Sequence, residues 1–242
     1  EHDWRTQEIP PFLKGYDAVV LQEAFSDRHR EQLVKALLTQ YPYTSQVPGE
    51  GQYVPMNGGV IILSRWPIQH TNVHLFDGCS GSDCMVSKGA VYTSINKQGI
   101  KVHLVGLHLQ AQIENGPVRA QQISQLQQFV ARQDIPSDEP LLVAGDFNVN
   151  YFSRDSDGEF DLLTSLLQLA FVEDTPAPSY EKRSNTMVVD SVTERLDYVF
   201  YSTGHLIPAQ SSNEVLYFRK DGKELSDHHA VLGRFTIGGI TP

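Results

Sequence analysis

The feature that most constrains this chain is a recurring unit: a short apolar run, rich in β-branched residues, that stops at polar side chains able to do chemistry. YDAVVLQEAF (16–25) halts at Gln22-Glu23, and NGGVIILSRWPI (57–68) follows a glycine turn and is stopped by Pro67. GAVYTSIN and KVHLVGLHLQA (101–111) read as consecutive strands joined by the Lys97-Gln98-Gly99 turn. PLLVAGDFNVN (140–150) is a buried strand ending in Asp146 and Asn148, which two-residue alternation puts on one side. RLDYVFYS (195–202), a strand or loop around Glu214 to Arg219, and HHAVLGRFTI complete the series.

Between these runs the period changes to that of a helix. Leu33, Leu37 and Leu38 face inward in DRHREQLVKALLTQYP (27–42), and GPVRAQQISQLQQFVARQ (116–133) carries the stripe Ile123, Leu126, Phe129 and Val130 after Pro117. FDLLTSLLQLAF (160–171) is a third helix, and 172–194 is irregular. Strand runs and helices occur in both halves without a low-complexity linker. The expected architecture over 1–242 is therefore one α/β domain, a two-layer β-sandwich flanked by helices.

Composition bounds the function. A formal charge of −10 argues against a broad basic surface for nucleic acid, so no stable nucleic-acid partner is expected. No apolar run approaches the roughly 20 residues of a membrane span. Cys79 and Cys84 are the only cysteines, in GCSGSDCMVSKG. They read as a disulfide pinning a surface loop in an oxidising compartment, against the alternative of two free thiols. The sequence begins at Glu1 with neither Met nor a signal-type apolar segment, so it is expected to be a processed mature chain or a recombinant segment.

The polar groups at the run ends are Glu23, His108, Asp146, Asn148, Asp197, Asp227 and His228. Each has a plain reading as well. Glu23 suits the start of a helix, Asp146-Phe147-Asn148 suits a turn, and His108, inside an apolar run, could be a hydrogen-bonded core histidine. In LSDHHAVLGRF (225–235), strand alternation lets only one of His228 and His229 look into a given site.

QEAF, GGVIILSRWPI, GLHLQA, GDFNVN, RLDYVFYS and SDHHAV, in this order from about Asp17 to Phe235, resemble the endonuclease/exonuclease/phosphatase superfamily with its DNase I-like, four-layer α/β/β/α fold. HLQA, SKG, VRAQQISQLQQF and GDFNVN are similar to its secreted neutral sphingomyelinase branch. The resemblance implies a Mg²⁺-dependent phosphodiesterase, with Mn²⁺ or Co²⁺ in substitution, cleaving sphingomyelin to ceramide and phosphocholine. Glu23 and Asp227 would hold the metal, an oxygen-loving ion suited to carboxylates. His228 would take a proton from water with Asp197 behind it, while Asp146 and Asn148 position water and phosphoryl oxygen. His108 would stabilise the phosphoryl or leaving-group side, and Lys88 of VSKG, with Asp83 five positions earlier, would meet the substrate phosphate. The implied enzyme is a secreted or periplasmic monomer that touches the membrane peripherally. Alternatives are a DNase-like nuclease, another phosphatase of the superfamily, or a non-catalytic module on the same fold.

Three departures accompany the likeness. The family's N-terminal strand, which supplies a metal-binding Asn, is missing ahead of QEAF, so the sequence is expected to begin downstream of it. Met56-Asn57 stands where relatives carry acids for a second metal. Only SNEVLYFRKDGKEL (212–225) occupies the place of a membrane-entering aromatic hairpin.

Overall fold

Gln98 and Gly99 both adopt positive φ, 53° and 92°, and close a tight hairpin in which Lys97 pairs with Ile100. This turn gives the Gly89–Lys97 and Ile100–His108 strands a fixed register. The first is buried on both faces over most of its length, so the sheet it belongs to must be covered on both sides. The computed structural model that shows this describes residues 2–51, 56–172 and 176–238.

A six-stranded sheet runs in the order Ile68–Leu75, Gly89–Lys97, Ile100–His108, Leu141–Asp146, Asp197–Ser202 and Leu169–Ala170. Only the Ile100–His108 and Leu141–Asp146 strands are parallel neighbours. A parallel pair needs a crossover, and the Gly116–Ala131 helix supplies it, with Pro117 in its first turn. Its Ile123, Leu126 and Phe129 pack beneath the sheet against Leu107, Phe147, Leu163 and Phe200. Each fully buried side chain in that stripe contributes about 1.5–3 kcal/mol relative to exposure.

The other face of this sheet meets Ala18–Leu21 and Ile61–Ser64, antiparallel partners in a second sheet. Val20, Val60 and Ile62 interdigitate with Val91, Leu104 and Ala144. Gly106 makes the close approach possible, because a Cβ there would lie 2.7 Å from Val20 Cγ1. Leu37, Tyr41, Ile61 and Leu63 form the outer layer beneath the Asp27–Leu37 helix. The order is thus helix, sheet, sheet, helix, as the strand and helix patterns predict.

The second sheet is divided. Ala18–Leu21 pairs only with Ile61–Ser64 among the described residues, and Ala230–Thr236 only with Gln210–Leu216. Their free edges both line a cavity of about 1040 Å³ that reaches Glu23, Asp227 and His228.

Local expectations differ from the structure in three places. Leu38 follows the last helical residue and is exposed rather than inward. The helix expected over 160–171 is Glu159–Leu166; Leu169–Ala170 instead pairs with Tyr201 and Ser202 as a sheet edge. His228 and His229 precede the Ala230–Thr236 strand, so alternation does not govern which way they face.

Candidate active site

Strand register assembles the site. His108 is the partner of Asp146 across the parallel pair, and Asp146 is the partner of Asp197 across the next, antiparallel one. Three neighbouring strand ends therefore present two carboxylates and an imidazole at one rim. Gly145, with φ 151°, permits this, since a Cβ would fall 2.1 Å from the Leu107 carbonyl oxygen.

Beyond Asp146 the strand stops, and Asn148 takes a left-handed φ of 52°. Its N–H donates to Asp146 Oδ1 at 2.9 Å, and its Nδ2 donates to the Leu109 carbonyl at 3.0 Å. Asp146 and Asn148 come together through this turn rather than through strand alternation. Glu23 is likewise left-handed, with φ 56°. Non-glycine residues held this way cost of order 1–3 kcal/mol each and gather at functional sites.

Lys88, almost fully buried, donates to the Leu109 carbonyl at 2.7 Å and lies 2.7 Å from Asp83 Oδ2. It also approaches His108 Nε2 at 2.9 Å. With an ammonium donating to Nε2, the neutral imidazole carries its proton on Nδ1, which has no partner among the described residues. Burial first, then the charges of Lys88 and His228, hold His108 far below the ordinary histidine range. It stays neutral, with Nε2 3.4 Å from Asp146 Oδ2. Burial and then the charge of Asp197 push Asp146 up to about 7.

His228 Nδ1 lies 2.8 Å from Asp197 Oδ2. Burial alone would lower this imidazole, but the charge and hydrogen bond of Asp197, joined by Asp146 and Asp227, raise it to about 10. Tyr180 packs on its ring at 4.8 Å between centroids. Nothing in the irregular 172–194 stretch distinguished Tyr180 by pattern; the short Tyr180–Glu181 pairing with Thr193–Glu194 brings it there. His229 turns away: Nε2 meets Ser184 Oγ at 2.8 Å, its N–H donates to Ser179, and Tyr217 covers it.

Two carboxylate groupings could take a cation. Asp146, Asp197 and His228 offer ligand atoms within 4.8 Å of one another. Asp197 holds Nδ1 of that imidazole, which leaves Nε2 for proton transfer or ligation. Glu23 and Asp227 differ, because Glu23 makes no side-chain hydrogen bond or ion pair among the described residues. Burial, then the charge of Asp227, pushes the Glu23 carboxyl above its usual range. Glu23, open to the cavity with Asp227 as a like-charged neighbour and no side-chain partner of its own among the described residues, offers a free carboxylate to a hard divalent ion. Asn57 donates to the Phe25 carbonyl and accepts from the Gly59 N–H, so its amide is engaged in holding the turn.

The Cys79–Cys84 disulfide, with Cα atoms 5.2 Å apart, closes the turn that carries Asp83 and so steadies the partner of Lys88. All the sequence-predicted site residues thus lie along the strand ends or on the turns bound to them.

A family model for the endonuclease/exonuclease/phosphatase family matches residues 4–228. Sphingomyelinase C of Listeria ivanovii is 30% identical, over 92% of this chain and 76% of its own length. The crystal structure of SmcL superposes with a TM-score of 0.88 at 29% identity, covering 97% of this chain and 91% of that one. A Staphylococcus aureus beta toxin variant with bound magnesium ions gives 0.86 at 27% identity, over 97% and 92%.

Proposed function

The chain belongs to the endonuclease/exonuclease/phosphatase family, and from that premise we propose that it is a Mg²⁺-dependent phosphodiesterase hydrolysing sphingomyelin to ceramide and phosphocholine. The observation that carries the reading is the His228–Asp197 pair at 2.8 Å, set beside Asp146, His108 and Lys88 at one rim. It is supported by relatives named sphingomyelinase C at about 30% identity over most of the chain.

The residues divide the work by charge. A phosphodiester is anionic, so its attack requires neutralisation, a water stripped of a proton, and help for the departing oxygen. Lys88, held by Asp83, the Leu109 carbonyl and His108, would contribute positive charge on the His108 side of the phosphoryl group. His228 Nε2 takes the proton of the attacking water, and Asp197 orients the ring through Nδ1 and stabilises the cation formed. Asn148 and Asp146 position water and phosphoryl oxygen. His108, kept neutral, would hydrogen-bond at the phosphoryl or leaving-group side. Glu23 and Asp227 would hold Mg²⁺, which supplies Lewis-acid charge neutralisation when bound; Mn²⁺ or Co²⁺ would substitute. A cation near these acids also offsets the carboxylate field that raises His228, moving it toward the range where a histidine serves as a base at neutral pH.

The free edges of Ala18–Leu21 and Ala230–Thr236 flank the cavity that reaches Glu23. The Cys79–Cys84 bridge supports an oxidising, extracellular or periplasmic setting. We read the enzyme as a monomer that meets its lipid peripherally, and no described helix is long and apolar enough to cross a membrane.

The test is a panel of sphingomyelin, phosphatidylcholine and plasmid DNA with Mg²⁺ or with EDTA. Phosphocholine release from sphingomyelin, abolished by EDTA, is expected. Nicking of DNA without lipid hydrolysis would overturn the reading.

A further inference from the structure

We propose that Met85, Ile113 and Val189 form an apolar rim by which the protein seats itself on a zwitterionic lipid bilayer, a proposal that rests on the lipid phosphodiesterase reading above. These are the three most exposed large hydrophobic side chains among the described residues, at 62%, 75% and 84%. Single exposed apolar residues are ordinary. What distinguishes these three is their attachment to the site.

Met85 ends the Gly81–Met85 turn, whose Asp83 pairs with Lys88 and whose Cys84 is tied to Cys79. Ile113 lies on the adjoining turn, where the Ala111 N–H donates to the same Asp83 carboxylate at 2.8 Å. The Ile113 carbonyl accepts from Arg119, a buried guanidinium paired with Glu159. Val189 belongs to the loop on the opposite flank. There Asn185 Nδ2 donates to the carbonyls of Ser226 and Asp227, and Lys182 Nζ donates to the Val188 carbonyl at 2.6 Å. One pair of turns thus borders Lys88 and His108, and the other loop borders Asp227 and His228.

In each case an apolar side chain projects from backbone that a charged or amide side chain fastens. Such turns lose little conformational freedom when they meet a surface, so the burial of their apolar tips is not offset by ordering. The phosphate of a membrane lipid lies at the headgroup boundary, and bringing it to Lys88 requires the rim to approach the acyl region. A chain of formal charge −10 gains nothing from anionic lipid, so its affinity must come from apolar contact with a neutral surface.

The experiment compares wild type with the triple variant M85S/I113S/V189S and with Ile207→Ser. Ile207 is exposed next to Leu206, whose N–H donates to Glu139 at the far end of the sheet. Flotation with sphingomyelin–phosphatidylcholine vesicles in EDTA reads binding without turnover. Wild type and Ile207→Ser should float, and the triple variant should bind about tenfold more weakly or worse. With Mg²⁺, the triple variant should lose a similar factor on vesicles while cleaving monomeric short-chain sphingomyelin at the wild-type rate. Equal flotation of the triple variant and wild type, or no flotation of wild type, overturns the proposal. So does an equal loss on vesicles and on monomeric substrate, since the turns would then shape the site itself. Should wild type cleave neither substrate, the functional reading fails while flotation still decides the rim.

Discussion

Lys88 Nζ stands 2.9 Å from His108 Nε2 and 2.7 Å from Asp83 Oδ2, so a single ammonium joins the end of a central strand to the disulfide-closed turn. Burial first, and then this contact, hold His108 below the ordinary histidine range.

Breaking this pair from one side strands a charge in a nearly dry place. Lys88→Met and Asp83→Asn should each cost about 3 kcal/mol of stability, and the double variant less than their sum. Urea denaturation measures all three. Additive losses would mean that the two side chains do not act as a pair.

The disulfide spans five positions, Cys79 to Cys84, a short closed loop. On chain-entropy grounds, C79S/C84S should lose about 2 kcal/mol, read as a lowered urea midpoint with unchanged slope. Reduction of wild type should reproduce the shift. A midpoint unmoved by either treatment would refute the structural role given to the bridge.

His74 stacks on Phe129 and edges against Phe76, and its buried Nε2 has no partner among the described residues. Burial, then the charge of Arg132, sets this histidine below its ordinary value. As pH falls through about 6.5 the unfolded chain takes a proton that the folded protein refuses, so stability falls toward the lowered folded value. His74→Phe removes the penalty. The melting temperature of the variant relative to wild type should therefore rise between pH 7.5 and pH 5.5; a constant difference would count against the shift.

Glu23 carries the metal assignment. Mg²⁺ should raise the melting temperature of wild type, and Glu23→Gln should raise the Mg²⁺ needed for half the effect about 10- to 100-fold. Protons compete for this carboxyl, whose proton affinity is raised, so the Mg²⁺ requirement should grow as pH falls. Stabilisation of Glu23→Gln at wild-type metal concentrations would assign the ion to other ligands.

Much of this was legible in the sequence because the period of apolar residues reports directly on which faces are buried. Ile123, Leu126 and Phe129 fell on one helix face, and the Gln98-Gly99 turn fell between two strands. Local chemistry was less legible. Asp146 and Asn148 were paired by alternation, yet a left-handed residue and an Asp side-chain hydrogen bond do the pairing. His229 was separated from His228 by strand geometry, whereas Ser184 and Tyr217, distant in sequence, hold it away. Tyr180 is not legible in the sequence, because a two-residue strand leaves no periodicity to read. Leu38 looked inward because nothing in the pattern marked the end of the helix one residue earlier.

The central claim concerns which histidine moves the proton, and sphingomyelin turnover under saturating Mg²⁺ tests it most directly. His228→Ala should lower kcat by about a thousandfold. His229→Gln, which keeps a polar group toward Ser184, should stay within a few-fold of wild type once its folding is verified. A His228→Ala enzyme as fast as wild type, or equal losses in the two variants, would contradict the assignment of His228 as the base.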